Sequence, residues 1–237
     1  MALDYSKHKN ILLQILKDIY SDNEIAPYLG FKGGTAALLF YGLSRDSVDL
    51  DFDLLDESKE AEVFKKIQEI AASYGKIIDS RVKRFNLVTI ISYELKAQHV
   101  KIEVNRRSFG SKYDLKTFLG ISMLVMVRED MFAHKLTAMC ERFGKASRDI
   151  YDVYFFAKNN WPINKTIVEA RTCLGFKEFL LKCIDLLEKM DNKNILSGMG
   201  ELLAEKQKIW ARAKLKNDTI FLLKLMLESE KSNRAVK

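Results

Sequence analysis

Ile11, Leu12, Ile15, Leu16 and Ile19 recur at the spacing of one helix face, and Asn23, Pro27 and Gly30 bring that helix to an end. A glycine turn, Lys32-Gly33-Gly34-Thr35, comes next, followed by a short helix from Ala36 to Tyr41 that Gly42 closes. From Val48 to Leu55, Asp alternates with Leu or Phe at a period of two, which predicts a strand. Val63, Phe64, Ile67, Ile70 and Ala71 restore helical spacing over residues 58–73, and two β-rich runs follow at 87–95 and 100–106. Beyond about Ser111 the long periodic segments predict helices over roughly 129–143, 147–158, 165–190, 200–215 and 218–229. Residues 112–128 include the apolar run Met123 to Val127, which suits a buried strand or a helix start equally well. The expected fold is therefore α+β: a mixed sheet with helices over residues 1–115, then an α-helical bundle over 116–237. No Pro- or Ser-rich linker separates the two, so they are expected to pack closely and share a cleft.

Composition narrows the class. The 237 residues are 48% hydrophobic and 30% charged, which excludes collagenous, mucin-like and disordered chains. The formal charge of +7 is uneven, about +1 over residues 1–120 and about +6 over the rest, which suits a polyanionic partner. Cys140, Cys173 and Cys183 form no C-x-x-C pair, so neither a zinc knuckle nor a disulfide framework is expected, and a cytoplasmic setting fits. The N-terminal segment mixes charges into its apolar positions and reads as an amphipathic helix. No run reaches the ~18 apolar residues of a membrane span, so no membrane association is expected.

The strand of alternating acids carries the first candidate chemistry. Asp49, Asp51 and Asp53 share one face, with neighbours roughly 7 Å apart, and like charges that close need a cation or donors. Mg²⁺ prefers oxygen ligands and is usually held by one or two carboxylates together with substrate phosphates. The alternative is a solvated edge strand whose acids discourage aggregation. A second strand, Val100 to Val104, puts Lys101 and Glu103 on one face, so Glu103 becomes a third carboxylate if the two strands pair. Gly33 and Gly34 before a short helix offer backbone N–H groups to an anion, with Thr35 able to cap the helix or bind a phosphate oxygen. Ser47 would point the same way as the carboxylates and could donate to a phosphate. No Walker loop or dinucleotide fingerprint accompanies the Gly-Gly turn, and a plain tight turn is its bland reading.

The helical half carries the second. Lys135 and Arg142 lie seven residues apart on one helix face, bordering Phe132, Leu136 and Met139. Gly144 is placed to end this helix and Ser147 to cap the next, which opens Arg148-Asp149-Ile150-Tyr151-Asp152. Asp149 and Asp152 share a face that a helical hairpin would bring back towards Lys135. For Arg142 and Asp152, a structural ion-pair network is as good a reading as direct chemistry. His134 is most simply a helix residue, because no H-E-x-x-H motif accompanies it. Lys206, Lys208, Arg212, Lys214 and Lys216 with Trp210 could form an RNA-contact helix, or only a solvated face.

Lys32-Gly-Gly-Thr-Ala, then Tyr41-Gly-Leu-Ser-Arg45-Asp-Ser47-Val-Asp49-Leu-Asp51-Phe, resembles the signature of the nucleotidyltransferase superfamily, and more narrowly the AbiEii/AbiGii-type toxin family. Lys135-Leu-Thr-Ala-Met-Cys-Glu-Arg142 and Arg148-Asp-Ile-Tyr-Asp152 resemble that family's two helical elements. The resemblance implies a polymerase-β-like core in which Gly33, Gly34 and Thr35 hold the triphosphate of an NTP and Asp49 and Asp51 hold Mg²⁺. Glu103 is the candidate third metal ligand, on the pairing argument above. Arg45, Ser47, Arg142, Arg148 and Asp152 join the nucleotide-binding positions. By the same likeness Lys135 would contact the triphosphate as pyrophosphate departs, and Asp149 would act as a base or positioning group. The helical domain would complete the active-site cleft. The implied function is Mg²⁺-dependent transfer of NMP to an acceptor hydroxyl, with a tRNA 3′ end as acceptor, in a toxin of a type IV toxin–antitoxin or abortive-infection system with a cognate antitoxin. Two alternatives stay open: an inactive module that binds nucleotide or RNA, and an enzyme whose acceptor is a protein hydroxyl.

Overall fold

A computed structural model describes residues 5–94 and 99–235, with side chains described as far as Glu230. The chain forms two compact units, Met1–Val127 and Arg128–Lys237. It is α+β, a seven-stranded mixed sheet with helices followed by a helical region.

In the first unit, helix α1 (Tyr5–Ser21) buries Leu12, Ile15, Leu16 and Ile19, the apolar face its spacing predicts. Strand β1 (Leu29–Lys32) runs into helix α2 (Gly33–Tyr41), which Gly42 ends. Strand β2 (Asp49–Leu54) follows, then helix α3 (Glu60–Ala72) and strands β3 (Lys76–Val82), β4 (Asn86–Ser92) and β5 (Val100–Asn105). The 87–95 run therefore ends as a strand at Ser92, and its position 95 lies outside the described residues. A hairpin of β6 (Tyr113–Phe118) and β7 (Ile121–Met126) turns through Leu119 and Gly120, both at positive φ.

The sheet order is β3-β4-β5-β2-β1-β7-β6. At its centre β2 pairs antiparallel with β1 and parallel with β5, so Lys32 lies opposite Asp51, Asp51 beside Glu103 and Asp53 beside Asn105. Leu50 and Phe52 on the other face of β2 are fully buried. Phe31 packs on Phe52 with ring centroids 5.3 Å apart, and Tyr20 of α1 meets the same ring at 6.1 Å. The period-two pattern thus splits β2 into an apolar face that anchors the core and an acidic face that does not.

The second unit holds α4 (Arg128–Glu141), α5 (Arg148–Lys158), α6 (Lys165–Thr172), α7 (Phe176–Lys189), α8 (Glu205–Trp210) and α9 (Lys216–Ala235). Residues 112–126 take the strand alternative, so the expected junction after residue 115 falls inside β6, and the units divide after Val127. The continuous helix expected over 165–190 is two helices. Cys173 adopts a left-handed conformation (φ 56°) that closes α6, and Gly175 starts α7. The helix expected over 200–215 breaks into a 3₁₀ turn, α8 and a π-helical segment, Ala211–Leu215. Ser147 precedes α5 without capping it; its hydroxyl donates to the Asn194 carbonyl at 3.2 Å instead. The thiols of Cys140 and Cys183 meet at 2.9 Å between α4 and α7, and both cysteines are free. No helix among the described residues is long and apolar enough to cross a membrane.

One polar group of α1 is wired to the start of β2. His8 is 1% exposed; its Nε2 lies 3.1 Å from the Val48 carbonyl and its Nδ1 3.0 Å from the Tyr93 hydroxyl. Burial holds this imidazole below its ordinary pKa, overriding the opposite pull of the Val48 carbonyl and Asp49. As pH falls through about 6.5 the unfolded chain takes up this proton before the folded one does, so His8 makes stability fall with acidification. Thermal melts between about pH 8 and about pH 5 are expected to decline less steeply for His8→Gln than for the unchanged chain.

Candidate active site

The turn between β1 and α2 faces the acidic face of β2. Gly33 has a φ of +79°, a conformation disfavoured for other residues, and a Cβ there would collide with the Asp51 carboxylate. A Cβ on Gly34 would come within 2.8 Å of both Arg45 Nη2 and Ser47 Oγ. Both glycines are therefore set by close approach, and that approach brings Gly33, Gly34, Arg45, Ser47 and Asp51 into one cluster. The α2 N-terminus has no side-chain cap, so its first amides point to a site where an anion would be stabilised. Thr35 does not cap it; its hydroxyl donates to the Asp49 carbonyl and lies 3.0 Å from Ser47 Oγ. Arg45 is only 3% exposed and donates to the Asp46 carbonyl at 2.8 Å.

The three aspartates of β2 fare differently. Asp53 accepts from Lys32 Nζ at 2.5 Å, Asn105 Nδ2 at 2.6 Å and Tyr113 Oη at 2.6 Å, so its charge is met within the protein. Asp49 lies 3.8 Å from Lys101 Nζ, and Lys101 also pairs with Glu103 at 2.7 Å. Burial disfavours the Lys101 ammonium, but Asp51, Asp49 and Glu103 outweigh it and hold its pKa above the ordinary lysine value. Glu103 also accepts from Asn86 Nδ2. The expected pairing of the two strands is thus present, with Glu103 beside Asp51, yet both Glu103 oxygens already have partners. Among the described residues no group of three or more His, Cys, Asp or Glu side chains is disposed to hold a metal ion. The donor set that does fit Mg²⁺ is the pair Asp49 and Asp51, two hard oxygen ligands on a rigid central strand. Lys101, Asn86, Asn105 and Tyr113 escaped the sequence reading of this site. The only signal for Lys101 was its place two residues before Glu103 on the same strand face.

In the helical unit, Lys135 of α4 reaches two aspartates of α5, Asp152 at 2.7 Å and Asp149 at 3.4 Å. Arg142 Nη2 stands 2.8 Å from Asp149 as well. Both aspartates are 0% exposed and Lys135 12%, whereas Arg142 is 44% exposed. Asp149 Oδ2 has no aligned hydrogen-bond donor, although the Arg142 guanidinium is in ionic contact with it. The structure so brings Lys135, Arg142, Asp149 and Asp152 together in one network, buried at both aspartates and open to solvent at Arg142; Arg148, half-buried, opens α5. His134 accepts from Arg171 Nη1 at 2.7 Å, a structural role. In the late basic segment, Trp210 packs on Tyr154 at 4.7 Å and Tyr151 at 6.1 Å, and Lys216 donates to the carbonyls of Glu188 and Met190.

A Gly-Gly turn feeding an uncapped helix N-terminus, set against paired carboxylates on the neighbouring strand, is suited to a polyphosphate and a divalent ion, as in nucleotidyltransferases. A family model described as nucleotidyl transferase AbiEii toxin, type IV TA system, matches residues 14–178. The chain belongs to that family. Two solved structures from Helicobacter pylori share the fold. A candidate nucleotidyltransferase is 19% identical, with 98% of each chain covered and a TM-score of 0.62. JHP933 is 17% identical, with 100% of this chain and 98% of that chain covered and a TM-score of 0.61. No curated protein matches the chain.

Removing one partner from a buried ion network strands the others. Lys135→Ala is expected to cost about 3 kcal/mol or more, because two fully buried carboxylates lose their shared cation. Urea denaturation checks this, with Lys135→Met/Asp149→Asn/Asp152→Asn expected to recover much of the loss.

Proposed function

We propose that this toxin transfers NMP from Mg²⁺-bound NTP to the 3′ hydroxyl of a tRNA, with the first unit as its nucleotidyltransferase core. The observation that carries the reading is the convergence of the Gly33-Gly34 turn with Asp51, Arg45 and Ser47. In nucleotidyl transfer the acceptor oxygen bonds to the α-phosphorus as the bond to pyrophosphate breaks, and the nearby residues must bind and align a polyanion. Gly33 and Gly34, with the first amides of α2, suit the triphosphate; Ser47 adds a hydroxyl, and buried Arg45 adds fixed positive charge behind the turn.

Asp49 and Asp51 would hold Mg²⁺, which when bound neutralises charge on phosphoryl oxygens. Glu103 joins them in this reading only by exchanging its bond to Lys101. For the helical unit we propose the roles its motif implies. Lys135 supplies positive charge to the departing pyrophosphate, and Asp149 acts as a base or positioning group. Arg142, Arg148 and Asp152 support nucleotide binding there, while the network fixes the Lys135 side chain. The acceptor follows from the family likeness and the basic second half of the chain. A cognate antitoxin is the expected partner.

Incubation with labelled NTPs, Mg²⁺ and total tRNA is expected to move label into RNA, and chelation to stop it. Asp49→Asn or Asp51→Asn is expected to lower transfer at least about a hundredfold with the fold intact by circular dichroism. Label in protein would select a protein acceptor, and nucleotide binding without turnover an inactive module.

A further inference from the structure

The end of β5 and the β3–β4 turn build a second surface on the first unit. The Arg106 amide donates to the Phe85 carbonyl at 2.8 Å, and its guanidinium reaches the Lys83 carbonyl at 3.2 Å and the Arg84 carbonyl at 3.4 Å, so the turn is tied to the strand end. Arg106 is neutralised by Glu60 at 2.5 Å. Arg107 is exposed, and its guanidinium sits 4.7 Å from the centroid of Phe85 and 5.6 Å from that of Phe109. Arg84 approaches the same Phe85 ring at 4.9 Å. Phe85 is 41% exposed, so this is an arginine–aromatic stack held open to solvent.

Beside it lies a polar cavity of about 270 Å³, lined by Asp53, Arg107, Ser108, Phe109, Ser111 and Tyr113 among others, with exposed Glu57 on its wall. Asp53 also belongs to the acidic face of β2, roughly 7 Å along the strand from Asp51. The stack and the candidate active site thus adjoin along one strand. A buried arginine–phenylalanine pair would be ordinary packing. Here Arg84, Phe85 and Arg107 lie at the surface and Phe109 is half-buried, with Lys83 and Lys112 also exposed around them. Bases stack on such planes regardless of sequence, and the cations meet the phosphates between them. A duplex hides its base faces and could use only the cations.

We propose that Phe85, Arg107 and Phe109 form a stacking platform for the unpaired 3′-terminal nucleotides of an RNA acceptor. The platform rests on the RNA-acceptor reading above but makes a separate claim about where single-stranded RNA is held. Anchoring a strand there would direct its end along β2 towards Asp51.

Fluorescence anisotropy with a labelled single-stranded RNA bearing a free 3′ hydroxyl tests this on the full chain, without NTP or Mg²⁺. Phe85→Leu, which keeps the apolar volume, is expected to weaken binding about fivefold or more, and Phe85→Trp to stay within about twofold. Arg107→Ala is expected to weaken it by about tenfold and to flatten the salt dependence by about one phosphate contact. A duplex of the same sequence should be indifferent to Phe85→Leu. Absence of binding to the unchanged chain, or binding unaltered in both Phe85→Leu and Arg107→Ala, would overturn the platform. So would equal sensitivity of the duplex to Phe85→Leu. Nucleotide transfer is read separately: platform binding without label transfer defeats the transfer reading alone, and transfer without Phe85 or Arg107 dependence of binding defeats the platform alone.

Discussion

Three carboxylates on one face of a six-residue central strand repel one another, and much of the first unit is arranged around that repulsion. Each charge is met differently. Asp53 is saturated by Lys32, Asn105 and Tyr113, which come from β1, β5 and β6 and so tie three other strands to β2. Asp49 and Glu103 share Lys101, a cation placed between them by the parallel register of β2 and β5. Asp51 lies against the Gly33 backbone, where only a missing side chain makes room for it. The acidic face therefore grades from a structural end at Asp53 to an end at Asp49 and Asp51 that a divalent ion suits. The other face pays the folding cost with Leu50 and Phe52 in the core.

Regions with a strong internal period were legible before the structure. The acid–apolar alternation of β2 and the helical faces of α1 and α3 each reflect burial on one side, whereas α4 and α5, legible as helices, are buried nearly all round at Asp130–Ala133 and Asp149–Val153. Strands β3 and β6 were not legible, because each is a sheet edge with one neighbour and little burial to imprint a pattern. The break between α6 and α7 was hidden for another reason: a cysteine, not a glycine, takes the left-handed position at its centre. The site divides the same way. Gly33, Gly34, Arg45, Ser47 and Asp51 fall within one short stretch, so local spacing brought them together. Asn105 and Tyr113 meet Asp53 across 52 and 60 residues, and only strand register reveals such partners.

In the helical unit the motif residues form a structural ion network, whatever chemistry is proposed for them. Lys135 and Arg142 share a face of α4 as their spacing requires, and α5 returns Asp149 and Asp152 to them. Two wholly buried carboxylates beside one nearly buried ammonium hold that ammonium in a single place, at the expense of desolvating all three. Loss of activity on truncating Lys135 would therefore not by itself separate a chemical role from the loss of this network. The aspartates likewise act on the lysine before they act on anything else.

The family match begins at residue 14, whereas the imidazole that holds the Val48 carbonyl belongs to residue 8. The start of the matched segment and the physical boundary of the β2 support are thus not the same place. A fragment trimmed to the matched segment would keep every residue of the Gly-Gly and Asp elements yet lose His8 and Leu12 from α1, most of α7 and all of α8 and α9, so its failure would report lost support before it reported anything about those elements.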